Sequence, residues 1–438
     1  MSGTSAMPLP PPPAPPSLPP ASSPQAALSA YALPVHALRI FGACAISLVL
    51  WFSAGKAVRA ALMWAGSEVS HGDYRQARLA VTMLIFTLIV LNELVVMVGM
   101  LHSVRGALRE IQARREGGEA DEGMFGALNR ATLVFATIYL AWSFHAEDAR
   151  EFASLDLMKR ADQDLMGSLA GIQGEGATGL IALDVRLSLA IAVVAYLLRT
   201  LFGWWHANGK VRGSGVLTTF FELAFAFYGL NAMFTFTSAR SEWLSHRTAM
   251  TTIGDWIEAA EKAVPGWRAF WTWVGDAWPY VVDGLIVPLT WLTIAALVYG
   301  AFAEDTRAIV RGTRLDAVAD RMERTHSLTR STMTRATGGF QERWVPPANA
   351  FRLAVRGGAA LFGMFCLCYV ALRVGTDYGE RGVRTLIGSE EPYLWLVIGP
   401  PLTFVRDLIV TVLTTCLLAA TFDIAATRSR TAGQTLTV

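Results

Sequence analysis

Continuous apolar segments constrain the fold of this 438-residue chain more than any other feature. An α-helix rises 1.5 Å per residue, so about 20 apolar residues cross the roughly 30 Å hydrocarbon layer of a bilayer. Seven segments meet or approach that length, namely 38–55, 79–101, 187–205, 216–239, 280–303, 353–372 and 402–424. An eighth, 131–146, is shorter. The sequence predicts an all-α polytopic integral membrane helix bundle of about eight transmembrane helices, or seven if 38–55 does not span.

The composition supports a membrane protein and argues against other classes. The chain is 53% hydrophobic and 16% charged, whereas soluble domains are roughly 25% charged. A formal net charge of +2 gives no strong bias toward nucleic acid. The apolar segments make the lipid bilayer the predicted partner. The sequence does not indicate the oligomeric state. The cysteines Cys44, Cys366, Cys368 and Cys416 lie in apolar segments and are predicted to pack there without disulfides.

Loop charge predicts the orientation. Lys and Arg favour cytoplasmic loops, and placing the N-terminus inside puts the arginine-rich stretch 304–356 in the cytoplasm and the acid-rich loop 147–186 outside. Lys56 and Arg59, after the first apolar segment, favour the opposite side and underlie the seven-helix alternative. From the loop charges we predict a protein of the inner (plasma) membrane with both termini in the cytoplasm. Nearly all of its basic residues are arginine, which is typical of a GC-rich source, so we also predict that it is bacterial.

The chain divides into tails, spans and loops. The predicted parts are a disordered Pro-rich cytoplasmic tail (1–35), helices 1–6 (36–303) with long outer loops (147–186 and 240–278), an Arg-rich cytoplasmic helical segment (304–350), helices 7–8 (351–424) and a cytoplasmic tail (425–438). The second outer loop is rich in tryptophan, which favours the membrane interface, so it predicts an amphipathic interfacial helical segment broken at Pro265 and Gly266. An aromatic ligand-binding vestibule is the alternative.

Glu93 is the outstanding ionisable residue. It lies near the middle of segment 79–101 beside Asn92, and no basic residue lies within that segment. A charge in hydrocarbon costs about 3 kcal/mol, so Glu93 needs a proton, a partner on another helix or water. Two interpretations stay open: Glu93 binds a coupling proton or cation, or it forms an interhelical hydrogen bond that locks the packing.

Four further polar residues lie in apolar segments. Glu222 and Asn231 are nine residues apart, which places them on opposite helix faces, and Glu222 is predicted to reach the interface. Arg406 and Asp407 are neighbours about 100° apart, so their pairing is not assured. The Pro400-Pro401 pair predicts a helix start there and places Arg406 one turn below the outer surface. If 393–398 is also embedded, the helix is broken and Arg406 could face Glu93.

Enzyme signatures are poor. His145, Glu147 and Asp148 are metal-ligand types, but they adjoin an acidic loop without a second histidine at helical spacing, so a solvated helix end is predicted. We expect no catalytic residue, metal site or cofactor, and the sequence favours a function other than catalysis. Two functions stay open: a proton- or cation-coupled transporter or channel that uses Glu93, and a non-catalytic membrane subunit or scaffold that docks a protein partner through 304–340.

Overall fold

A computed structural model describes nine stretches of the chain: 29–70, 74–117, 123–141, 148–158, 184–207, 214–245, 266–299, 358–388 and 392–435. Within these stretches the regular structure is helical and no strand occurs. The helices are α1 (Leu33–Val69), α2 (Arg75–Val104), α3 (Arg109–Glu116), α4 (Met124–Ala141), α5 (148–158), α6 (Val185–Ala207), α7 (Ser214–Ser245), α8 (Trp267–Val281), α9 (Val287–Val298), α10 (Ala359–Ile387) and α11 (Pro392–Thr435).

Six helices of the described residues are long and apolar enough to cross a membrane. They are Ala30–Val69, Gln76–Ala107, Val185–Trp205, Trp267–Val298, Ala359–Ile387 and Tyr393–Arg428. The all-α polytopic membrane bundle predicted from the sequence is confirmed, with about six candidate spans rather than eight. Segments 131–146 and 216–239 fall in α4 and α7. At 1.5 Å per residue the 18 residues of α4 cover about 27 Å, and the apolar stretch Gly215–Gly229 of α7 covers about 22 Å.

α1 packs antiparallel along both α2 and α11. Glycines permit the close approach to α2. A Cβ at Gly55 would lie 2.4 Å from Val96, and one at Gly99 would lie 2.7 Å from the Trp51 ring. The interior of the bundle is formed by apolar side chains of α1, α2, α4, α9, α10 and α11. Because α1 contacts both α2 and α11, it links these two long helices within the bundle.

α1 is longer at both ends than the predicted span 38–55. A single 3-10 turn, Ala30–Ala32, leads into it, and Leu33 is fully buried. Pro34 suits the first helical turn because the missing N–H would have no partner there. The last residues of the predicted tail 1–35 are therefore folded. At the other end, the helix carries Lys56 and Arg59, which the sequence had assigned to a loop.

The tryptophan-rich segment is continuous with the span that follows it. Gly266 adopts a φ of 86°, open to glycine without strain, and α8 starts at the next residue. α8 has no buried residue, and it continues through a π-helical turn, Val282–Ile286, into α9. Helix α8 thus begins directly after Gly266 and is continuous with the span that follows it. The part of the tryptophan-rich loop before Gly266 lies outside the described stretches, so the interfacial segment stays a prediction there.

α11 corrects two predictions about the C-terminal region. It runs without a break from Pro392 to Thr435 with Pro400 and Pro401 inside it, so the prolines neither start the helix nor divide it. A proline ring removes one hydrogen bond to the preceding turn but accepts helical φ, and a long helix packed against α1 and α10 tolerates the loss. Most of the predicted tail 425–438 is also helical, up to Thr435.

Some predictions concern residues outside the described stretches. These are the Pro-rich tail up to residue 28, most of the outer loops 147–186 and 240–278, and the whole Arg-rich segment 304–350. Docking of a protein partner through 304–340 therefore stays a prediction, as do the orientation in the membrane and the bacterial source.

Candidate functional site

A cavity of about 370 Å³ lies among α1, α2, α4, α5, α9, α10 and α11. Charged side chains line one part of it, and apolar and aromatic side chains line the rest. Its charged residues are Lys56, Arg59, Glu93, Asp148, Glu151, Arg373 and Asp407. Ligand sites in proteins commonly have this volume and this mixture of an apolar lining with a few placed polar groups.

Arg59 is the centre of the charged part. Its guanidinium donates to three carboxylates: to Asp148 at 2.5 Å, to Glu151, and to Glu93 at 3.3 Å. The Arg59 and Asp148 side chains are only 11% and 10% exposed, so this pair is well shielded from solvent. One cation thus meets three acids, and the contact with Glu93 is the longest. The Glu93 side chain is also 40% exposed, more than those of Arg59 and Asp148.

Two neighbouring helices position Asp148. Its other carboxylate oxygen accepts a hydrogen bond from the Tyr139 hydroxyl of α4. α5, which starts at Asp148, is anchored by Phe152, which is buried and packs edge-on against Phe86 of α2 at 5.3 Å. A Cβ on Gly66 of α1 would lie 3.0 Å from the Phe152 ring, so α5 also lies tightly against α1. Asp148 is therefore fixed by packing as well as by its ionic partner.

A second ionic group extends the site toward α10. Lys56 donates to Asp407 at 3.1 Å, and the other Asp407 oxygen accepts from Arg406 at 3.0 Å. Arg406 also donates to Glu380 of α10 at 2.9 Å. Arg373, about two helical turns before Glu380, lies with its guanidinium carbon 5.7 Å from the Tyr369 ring centre. This chain of contacts joins α1, α10 and α11 at the cavity.

The deeper part of the cavity is apolar. Counting from Glu93, Met97 and Met100 follow at four and seven residues, so the same face of α2 presents a carboxylate and then two thioethers. Phe135 of α4 and Trp291 of α9 form an aromatic wall with ring centres 6.3 Å apart. The cavity therefore passes from ionic at the Arg59 end to apolar along α2.

The structure places Glu93 and Asn92 as follows. Glu93 lines the cavity and has its basic partner on α1, a partner that segment 79–101 itself does not contain. Asn92 donates its side-chain amide to the Gly55 carbonyl oxygen at 3.0 Å, so it links α1 and α2 and does not line the cavity. Both interpretations of Glu93 remain open, because it has an interhelical partner and access to the cavity.

Glu222 pairs with Arg199 of α6 at 3.4 Å, and its side chain is 13% exposed. It therefore does not extend to an interface as predicted, because an arginine on the neighbouring helix lies within its reach. This pair lies away from the cavity lining. Asn231 lies on α7, but its side chain is outside the described part of the structure.

Arg406 and Asp407 pair with each other despite being adjacent, since the long arginine side chain curls back to reach the carboxylate. Asp407 lines the cavity with Glu93, whereas Arg406 is turned toward Glu380 and does not line it. The predicted approach of Arg406 to Glu93 through a broken helix is therefore wrong. Lys56 is the residue of α1 that connects Asp407 to this region.

Sequence reasoning missed Arg59, Lys56, Asp148 and Tyr139. The first two were counted as loop charges because the apolar run ends at Gly55. Asp148 was assigned to a solvated helix end, but it is 7% exposed and ion-paired, so that prediction is wrong. The sequence does contain a signal for these two residues. Arg59 follows Lys56 by three residues, so both side chains lie on the same face if the helix continues beyond its apolar run.

A second polar cluster lies at the other end of α1. His36 Nε2 lies 2.9 Å from Asp423 Oδ2, and both residues are buried. Asp423 Oδ1 accepts the backbone N–H of Glu110 at 2.8 Å, at the start of α3. The two clusters therefore join α1 and α11 at both ends of their antiparallel contact.

Among the described residues, no group of three or more His, Cys, Asp or Glu side chains is arranged to hold a metal ion. In the cavity, the Arg59 guanidinium occupies the position among the carboxylates that a cation would take. No known protein family, curated protein or solved structure matches this chain.

Proposed function

We propose that this multi-pass membrane protein is a proton- or cation-coupled transporter or channel in which Glu93 carries the coupling charge. The observation that supports this most is that Glu93, on an apolar span, shares one cavity with an arginine that two other carboxylates already engage. A carboxylate whose hydrogen-bonded cation is shared with two other acids, at a longer distance than either, is the one most easily neutralised by a proton or an incoming cation.

The charge balance supports a positive ligand. The cavity lining carries four acidic side chains, Glu93, Asp148, Glu151 and Asp407, and three basic ones, Lys56, Arg59 and Arg373. Two like charges about 4 Å apart repel by about 4 kcal/mol at an effective dielectric constant of 20. Binding one positive charge relieves that repulsion around Arg59. A purely structural ion pair would instead be expected to balance its charges.

Accessibility supports exchange of that charge. The Glu93 side chain is 40% exposed, whereas the side chains of Arg59 and Asp148 are nearly enclosed. A coupling group has to exchange its ligand with solvent, while the residues that position it have to stay fixed. Glu93 and the Arg59–Asp148 pair match these two roles.

The test is flux in proteoliposomes. Purified protein is reconstituted with a pH-sensitive dye inside, gradients of Na⁺, K⁺ or an organic cation are imposed, and proton movement is recorded. We expect gradient-driven proton flux in the wild type and its loss in Glu93→Gln, a variant of the same size without the charge. Glu222→Gln is the matched control, because Glu222 is also paired with an arginine of a neighbouring helix but lies outside the cavity lining.

Two results would contradict the proposal. One is wild-type flux no faster than that of empty liposomes under every gradient. The other is a Glu93→Gln variant that folds, as judged by its thermal unfolding, and moves protons at the wild-type rate.

A further inference from the structure

The cavity has a polarity gradient that restricts its ligand. Its ionic residues are at the end where Arg59 and Lys56 of α1 face Glu93 and Asp407. From Glu93, the cavity face of α2 continues with Met97 and Met100. A small inorganic ion would use only the ionic end, whereas a ligand with a charged head and an apolar body would use the whole cavity.

The sign of the head follows from the partners already present. Lys56 is matched by Asp407 at 3.1 Å, and Arg59 is matched by Asp148 and Glu151. The hydrogen bond that Glu93 makes among the described residues is the 3.3 Å contact with a guanidinium that is already engaged. With Arg373 included, the lining still carries four acidic and three basic side chains, so one negative charge is left over and favours a cationic head.

The aromatic side chains beside the ionic end also favour a positively charged head group on the ligand. Phe135 lies between Tyr139 and Trp291, with ring centres 6.2 Å and 6.3 Å away. Tyr139 joins this wall to the acids, because its hydroxyl donates to Asp148. Ring faces attract cations, and several rings together with a carboxylate are a recurrent way to bind quaternary ammonium groups. The same surface repels an anion.

We infer that this cavity binds a monovalent organic cation with an apolar body, its head at Glu93 and its body against Met97, Met100, Phe135 and Trp291. This inference rests on the proposed function, since it names the substrate class of the same site. The cation and a proton compete for Glu93, so entry of the cation displaces the proton. The protein then exchanges one for the other.

Four probes of related shape test the ligand class. They are benzyltrimethylammonium, the anion benzenesulfonate, the neutral benzyl alcohol, and tetramethylammonium, which has the charge without the ring. Binding to the full-length protein in detergent is measured by titration calorimetry. We expect benzyltrimethylammonium to bind at least tenfold more tightly than each of the other three. Equal or tighter binding of any of the three would overturn the inference.

Variants test the location. Glu93→Gln is expected to weaken benzyltrimethylammonium binding about tenfold or more. Trp291→Leu is expected to weaken it about fivefold, because it removes an aromatic ring that contacts the apolar body of the ligand. The matched controls are Glu222→Gln and Phe202→Leu; Phe202 stacks on Phe221 at 5.4 Å, away from the cavity lining. Controls that weaken binding as much as the cavity variants would overturn the location.

The pH dependence of binding to the wild-type protein is a further test, and it does not depend on whether a variant folds. Because proton and cation share Glu93, the affinity for benzyltrimethylammonium should fall as the pH is lowered. An affinity that does not change with pH would overturn the competition. If the cation does not bind but proton flux still depends on Glu93, the inference fails and the proposed function stands. If the cation binds as expected and no flux occurs, transport fails and the ligand class stands.

Discussion

Replacing Gly55 by alanine probes the contact that holds Arg59 against Glu93. A Cβ at this position would lie 2.4 Å from Val96 Cγ2, 3.2 Å from Cγ1 and 3.3 Å from Cβ. Carbon atoms in van der Waals contact are about 3.5 to 4.0 Å apart, so α1 and α2 would have to separate by about 1 Å. Valine holds one rotamer in a helix, which prevents Val96 from turning away.

The expected loss of stability follows from three contributions. Overpacking of a tight contact costs about 1 to 3 kcal/mol. Separation of the helices also weakens the hydrogen bond from Asn92 to the Gly55 carbonyl oxygen, which contributes about 1 kcal/mol. Alanine regains up to about 1 kcal/mol over glycine as a helix former. We therefore expect Gly55→Ala to lower the free energy of unfolding by about 1 to 3 kcal/mol.

The assay is steric trapping in bicelles, which measures the free energy of unfolding in a bilayer-like medium. Gly42→Ala is the matched control, because Gly42 lies on the same helix and a Cβ there meets no atom within 4 Å. It should be neutral or stabilising. In the Gly55→Ala background, Val96→Ala removes both Cγ atoms and should recover part of the loss. Equal stability of Gly55→Ala and Gly42→Ala, or no recovery, would refute the close-contact explanation.

Three further predictions concern buried charges and backbone conformation. Arg59→Gln should destabilise the protein by about 3 to 5 kcal/mol, because it leaves Asp148 buried without a cation; adding Asp148→Asn should recover part of this, measured by thermal unfolding. His36→Leu should cost about 2 kcal/mol through loss of a buried hydrogen bond to the Asp423 carboxylate, and unchanged stability would argue against that contact. Gly266→Ala should cost about 1 to 2 kcal/mol, since alanine is strained at a φ of 86°, and circular dichroism during heating measures it.

The sequence predicted the class of fold and two carboxylates that line the cavity from within long apolar segments, Glu93 and Asp407. Both depend on local patterns, namely the length of apolar runs and the isolation of Glu93 within one. The ends of helices were less predictable. α1 continues for fourteen residues beyond Gly55, and its polar side chains Lys56 and Arg59 pair there with carboxylates of other helices.

Long-range partners could not be predicted for a physical reason. The sequence around Asp148 is typical of a solvated loop. Its partner Arg59 lies 89 residues earlier in the chain, so the ion pair becomes evident only in the folded structure. The Pro400-Pro401 pair is a strong local signal for a helix start, yet tertiary packing carries α11 through it. Glu222 was misassigned in the same way, because its partner Arg199 lies on a different helix.

The pairing of α1 with α11 has a consequence for biogenesis. Lys56 and Asp407 are 351 residues apart in the chain, and His36 and Asp423 are 387 apart. At about 5 to 20 residues per second, the ribosome finishes α11 roughly 20 to 70 seconds after α1. During that time Arg59 can find Glu93, but Lys56 and His36 lack their acids. A nascent chain that stalls before α11 therefore lacks the carboxylates that hydrogen-bond Lys56 and His36 in the finished molecule, so neither end of α1 has its final partner.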